Sequence, residues 1–362
     1  MVVEIKTTTT ANLPDLPTIK INKVIGSPVD QPIAIDANQD EPLTCCSKFK
    51  ATIEFIIFDI RWIQVIYHLT LIGATLYGIT KDAVFFSTNY HNTSSIFPML
   101  YTWAFGFSLA IFGSIGLSAG CHRLWSHHAY KAKLFMRILL ALMFTSVAES
   151  TIYYYVKHHR AHHVFIDTHA DPQNVHRGFC FAQLGWRFLK PRPEYRTKVT
   201  TLDFQDALND PVVKYQKMFF PPLALLLGYV LPTIIPYYLW GDSLLHAFLI
   251  AGCVKSCSVI TVHGLLGSVS HMYGKRRYNK KITARDIGLM SVIAAGEGYH
   301  NFHHTFPYDY TVSEFGQTFN ISKLFIDFFA LFGQAYNLRK ASPEFIEKAK
   351  NKTLNFNEVP AV

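Results

Sequence analysis

Four apolar runs, at about residues 62–79, 97–120, 218–240 and 244–266, constrain this 362-residue chain more than any other feature. A helix needs about 20 mostly apolar residues to cross a hydrocarbon core of about 30 Å, and inside lipid it must bond all of its own backbone groups. Half of the residues are hydrophobic and only 16% are charged, a balance that suits a membrane protein. The runs pair into two hairpins, the first joined by the segment 80–96 and the second by little more than Gly241 and Asp242. The expected fold is therefore all-α and integral to the membrane, with four spanning helices in two hairpins.

Charge sets the expected orientation. Lys and Arg crowd the polar stretch between the hairpins, about 121–217, whereas the hairpin tips hold only Lys81. By the positive-inside tendency the N-terminus, this middle stretch and the C-terminal segment face the cytosol. Residues 1–48 are polar, rich in Thr and Pro, and lack the apolar core of a cleavable signal peptide, so they read as a disordered cytosolic N-terminus. A membrane domain over 49–340 and a cytosolic tail over 341–362 follow. The sequon at Asn92 falls in the first hairpin tip, on the expected luminal side. The cysteines Cys45, Cys46, Cys121, Cys180, Cys253 and Cys257 fall on the expected cytosolic side or within helices, which favours reduced thiols. A net charge of +9 suits contact with anionic membrane lipid or an acidic partner. The basic residues flank spans instead of forming a basic domain, which excludes a nucleic-acid module.

The placement of the 17 histidines is the second constraint. His122 and His127 lie in "CHRLWSHHAY" where the second apolar run ends, "HHRAHH" supplies His159, His162 and His163, and "HNFHH" supplies His300, His303 and His304. At 3.6 residues per turn, positions i, i+3 and i+4 share a helix face, so each HxxHH motif aims three imidazoles in one direction. A spacing of five puts His122 and His127 about 140° apart on an ideal helix. They serve different metals, or sit where the helix end distorts. Eight imidazoles exceed what one ion coordinates, which implies two. An all-nitrogen site of this size suits a redox metal that keeps positions open, and iron is the expected choice. Asp167, Asp171, Glu297 and Asp309 are candidates to orient the rings.

Taken together, "HRLWSH", "HRAHHVFIDTHADPQN" and "GEGYHNFHHTFPYDY" resemble the three histidine boxes of the membrane acyl-CoA desaturases of the stearoyl-CoA type, more particularly the insect branch. The resemblance covers roughly residues 45–340. It implies a protein of the endoplasmic reticulum membrane in which a cytosolic helical cap over the four spans holds two ferrous ions. The implied ligands are His122, His127, His159, His162, His163, His300, His303 and His304, with His271 after the fourth span as a ninth. An asparagine that contacts one iron through water in that family is replaced here by Gly267. Further departures are His128 for Arg, Tyr155 for Trp, His158 for Asp and Tyr308 for Trp, with Tyr155 expected beside the substrate.

The implied reaction inserts a double bond into a long-chain fatty acyl-CoA with O2. Related outcomes of the same site are hydroxylation or conjugated-diene formation, and a catalytically silent acyl-CoA- or metal-binding membrane protein is the alternative from another class. Coenzyme A phosphates call for a basic mouth, for which Lys157, Lys190 and Arg192 are candidates, with Trp186 alongside. The chain has no "HPGG", no GxGxxG after a strand and no CxxC, hence no visible redox module of its own. By resemblance its electrons come from cytochrome b5 and the NADH-dependent reductase of that carrier.

Overall fold

The computed structural model describes residues 55–89, 93–316 and 319–355. The 1–48 segment with Cys45 and Cys46, the sequon residue Asn92 and the end of the 341–362 tail lie outside the described residues. The principal helices in chain order are α1 (Trp62–Asn89), α2 (Ile96–Ser126), α3 (Leu134–Thr145), α4 (Ile152–Phe165), α5 (Pro211–Met218), α6 (Phe220–Trp240), α7 (Leu244–Met272), α8 (His300–Thr305) and α9 (Ile321–Leu331). Strands β1 (Lys131–Ala132) and β2 (Ala335–Tyr336) pair antiparallel in a two-residue ladder.

Helices α1, α2, α6 and α7 are long and apolar enough to cross a membrane. Ile63, Ile66, Leu69, Tyr238 and Leu239 stand fully outward on α1 and α6, a covering that lipid and not water would favour. The second hairpin turns on Gly241, whose left-handed backbone (φ 72°) suits a residue without Cβ, and Ser243 caps α7 by accepting from the His246 N–H.

Three of the spans, α1, α2 and α7, are longer than their apolar runs. α1 continues to Asn89 through Lys81 and Asp82, because Asp82 is buried and bonded across the hairpins, to Trp103 Nε1 at 2.7 Å and His246 Nε2 at 2.9 Å. α2 and α7 run on past 120 and 266 because their last polar residues, among them His122, Arg123, Ser268 and His271, are buried in the cap instead of meeting water.

The cap is built against the ends of those spans. Its apolar core includes Tyr130, Met136, Leu140, Phe144, Ile152 and Val156, all fully buried. Thr151 caps α4 by accepting from Tyr154 N–H at 3.1 Å, which sets the rotation of the helix carrying the first HxxHH motif. Asp210 caps α5, with Pro211 in the first helical position, and also accepts from Trp125 Nε1 at 3.1 Å and Arg137 at 2.8 Å. One carboxylate thus ties together the end of α2, α3 and α5.

Candidate metal centre

The end of α2 decides where His122 and His127 point. Over Gly116–Ser126 the helix widens to π geometry, and the His127 N–H donates to the His122 carbonyl at 3.2 Å, a five-residue step. Five residues then make about one turn, so both rings fall on one face. The expectation that the pair serves two different metals does not hold; the alternative of a distorted helix end does.

The two HxxHH motifs divide their rings instead of aiming all three in one direction. At about 100° per residue, i and i+4 are about 40° apart, while i+3 lies on the other side of i. His159 and His163 accordingly join His122, His127 and His303 in one group, and His162 joins His271, His300 and His304 in a second. α4 sends two rings to the first group and one to the second, and α8 does the reverse. Within each group the nitrogens lie within 4.8 Å of one another. The groups touch where the rings of His163 and His304 stack, 4.0 Å apart and 8° from parallel.

The nitrogen contacts fit a cation in each group. His122 Nε2 lies 2.8 Å from His303 Nε2, His127 Nε2 2.8 Å from His159 Nε2, and His303 Nε2 2.9 Å from His163 Nε2. In the second group His300 Nε2 is 3.1 Å from both His271 Nε2 and His304 Nε2. Donors at right angles around an ion, each about 2.1 Å from it, are about 3.0 Å apart. Lone pairs facing one another at this distance repel unless a proton or a metal stands between them. The His162 Nε2 is buried and no protein group bonds to it.

What holds the rings is on their other side. His122 Nδ1 lies 3.0 Å from Glu297 Oε2, His162 Nδ1 donates to Asp171 Oδ1 at 2.9 Å, and His271 Nδ1 bonds Thr283 Oγ1 at 2.7 Å. Thr283 in turn donates to Asp167 Oδ1 at 2.5 Å. Acids that hold Nδ1–H leave the Nε2 lone pair turned inward. Burial pushes Glu297 up, but the Arg123 charge and His122 outweigh it and hold the carboxyl well below its usual range. Burial, and then the neighbouring rings, hold His159, His163, His303 and His304 well below the ordinary imidazole value, which keeps them neutral. His162 differs: burial pulls it down, but the Asp171 charge and hydrogen bond leave it raised.

Asp309 is a correction to the sequence reading. Its carboxylate accepts from the Thr311 and Ala341 N–H groups, each at 2.8 Å, and so braces the chain after the third box without touching a histidine. Arg123, Ser118 and Thr283 were not legible as site residues. Arg123 and Ser118 both bond Glu297, and Thr283 relays Asp167 to His271. No local pattern marks a threonine 12 residues after the histidine it holds.

Beside the histidines lies a cavity of about 70 Å³ lined by His122, His159, His162, His300, Tyr155 and Trp186, among others. A smaller one, of about 20 Å³, is lined by Lys190, Arg192, Arg61, Arg177 and His169. They share the walls Tyr154, His158 and Trp186, so the two cavities adjoin, one at the rings and the other among basic groups. Tyr155 stacks on His159, 5.5 Å away and 17° from parallel. Lys157 lines neither cavity. Glu149 and Arg187 form a buried ion pair in the larger cavity that the sequence did not announce. Of the departures noted above, His158 lies in both walls, whereas His128 pairs at the surface with Asp206 at 2.9 Å and Tyr308 lies under Arg339.

Comparison with known proteins agrees with this geometry. The family model for fatty acid desaturase matches residues 98–314. The chain is 41% identical to stearoyl-CoA desaturase 5 of Bos taurus over 256 residues, which is 71% of this chain and 76% of that protein. It is 41% identical to stearoyl-CoA desaturase 5 of Homo sapiens over 257 residues (71% and 77%) and 39% identical to stearoyl-CoA desaturase of Homo sapiens over 242 residues (67% of each).

Proposed function

Because the chain belongs to the fatty acid desaturase family and is a multi-pass membrane acyl-CoA desaturase, we propose that it inserts a double bond into a long-chain fatty acyl-CoA, using O2 and electrons delivered by cytochrome b5 and its NADH-dependent reductase. The observation that carries this reading is the pair of adjoining imidazole groups with their lone pairs turned inward.

In this reading His122, His127, His159, His163 and His303 hold one ferrous ion, and His162, His271, His300 and His304 hold the other. Bound iron supplies the O2 activation needed to take hydrogen from an unactivated methylene, which no side chain can do. The chain itself contributes position. Glu297, Asp171 and Thr283 fix the ring orientations, and the buried setting keeps bulk water from the reacting carbons. Tyr155 and Trp186 flank the acyl chain in the larger cavity, and Lys190 and Arg192 meet the phosphates of coenzyme A at the mouth, with Arg61 and Arg177 beside them. Lys157, next to His158 on α4, adds positive charge near these cavities without lining either.

The chain is placed in the endoplasmic reticulum membrane with its termini and cap cytosolic, where the carrier and acyl-CoA reach the site. Glycosylation at Asn92 supports this orientation; modification at Asn320 or Asn351 reverses it.

The test is expression of the full chain in desaturase-deficient yeast, with the double bond of the product located by mass spectrometry. Monounsaturated acyl product supports the reading. Hydroxylated product moves the assignment to hydroxylase chemistry, and absence of any product from a folded, metal-loaded chain contradicts it.

A further inference from the structure

The second imidazole group has four rings where the first has five, and a glycine lies on the same helix one turn before one of them. Gly267 lies four residues before His271 on α7, across a break in the helix at Ser268, and borders the cavity beside this group, so a side chain at 267 would occupy space there. That space is taken. A Cβ built at Gly267 would stand 2.8 Å from Gln173 Oε1, so the Gln173 amide lies where a residue-267 side chain would go. Gln173 and Gly267 line the same cavity as His162 and His300.

The backbone anchors Gln173 to the same group. Its N–H donates at 2.8 Å to Asp171 Oδ1, the oxygen that receives His162 Nδ1 at 2.9 Å. One carboxylate oxygen therefore sets both the ring and the amide. Gln183 makes a useful contrast, because it too approaches a glycine of α7, with Nε2 2.7 Å from a Cβ built at Gly264. Its amide is spent on structure: Nε2 donates to the Thr261 carbonyl at 2.9 Å and Oε1 accepts from Ser268 at 2.6 Å. Among the described residues, none bonds the side-chain amide of Gln173.

We infer that Gln173 supplies its amide oxygen as a further donor on the four-imidazole side, directly or through one water, and that Gly267 is the residue that makes room for it. The inference rests on the reading that the two groups hold metal ions. An amide oxygen is neutral and hard, so it adds a donor without adding charge, and it suits a divalent ion already held by neutral imidazoles.

The experiment uses the purified full-length chain reconstituted with ferrous iron under anaerobic conditions. It compares wild type, Gln173→Leu and Gln173→Leu/Gly267→Asn by metal content, by Mössbauer spectrum and by iron release to a chelator. About two ions per chain in wild type, with one of the two spectral components lost and released about 10–100-fold faster in Gln173→Leu, is the expected result. Asn at 267 returns an amide to the same space and restores that component. Unchanged spectrum and release in Gln173→Leu overturn this inference alone. A wild-type chain that takes up no iron overturns the functional reading and this inference with it. Should Gln173→Leu fail to fold, Gln173→Ala, which also removes the amide, decides the matter: it must lose the same spectral component, and an unshifted spectrum overturns the inference.

Discussion

α7 carries a buried histidine at each end, His246 and His271, and the two ends solve opposite problems. At the hairpin tip every nitrogen of His246 meets a carboxylate, Asp242 at 2.6 Å through Nδ1 and Asp82 at 2.9 Å through Nε2. Thr102, Trp103 and Trp240 close that network, with Trp103 on Asp82 at 2.7 Å and Trp240 on Thr102 at 2.9 Å. It is complete as it stands and ties the two hairpins together. At the cap end the outer nitrogen of His271 meets a hydroxyl, that of Thr283, while Nε2 faces the Nε2 of His300 at 3.1 Å. The same residue type is a structural knot where acids flank both nitrogens, and half of a binding site where imidazole faces imidazole.

The largest effect that would sharpen this contrast comes from removing a shared ring. His303→Ala takes away the nitrogen that contacts both His122 and His163, and unsaturated product should fall to background while the chain still inserts in membranes. Product at wild-type level would remove His303 from the centre. Glu297→Gln should weaken iron affinity about 10–100-fold, measured by chelator competition, because His122 loses the charged group behind its ring. At the other end, His246→Gln should cost about 3 kcal/mol of stability, seen as a lowered unfolding midpoint in detergent, with iron content unchanged. Loss of iron in that variant would break the comparison, since it would tie the hairpin tip to the metal groups. The smallest expected change is at the mouth. Arg192→Ala, at an exposed charge, should raise KM for acyl-CoA by up to about fivefold with kcat kept, and Lys157→Ala should do less.

Much of this is legible in the amino-acid sequence. The four apolar runs gave the spans, and the boxes marked eight rings that do converge, with His271 as the ninth by resemblance. What stayed hidden has physical causes, most of them tertiary. The pairing of His122 with His127 depends on a π-widened helix end, which 3.6-residue periodicity excludes. Helical periodicity parts His162 from His163, but which group each ring joins depends on the rotation of α4 relative to α8, a tertiary quantity. α1 passes through Asp82 because His246 on α7, more than 160 residues away, bonds its carboxylate. Thr283 and Gln173 gain their places only from chain segments that fold back onto the rings, and Asp309, adjacent to the third box, turned out to serve the backbone beyond it.

The most direct test is a diffraction experiment on the iron-loaded chain with an anomalous difference map at the iron absorption edge. Two peaks, one among His122, His127, His159, His163 and His303 and the other among His162, His271, His300 and His304, are predicted. A map with no peak in either group, or with its metal elsewhere in the chain, would contradict the assignment of these imidazoles.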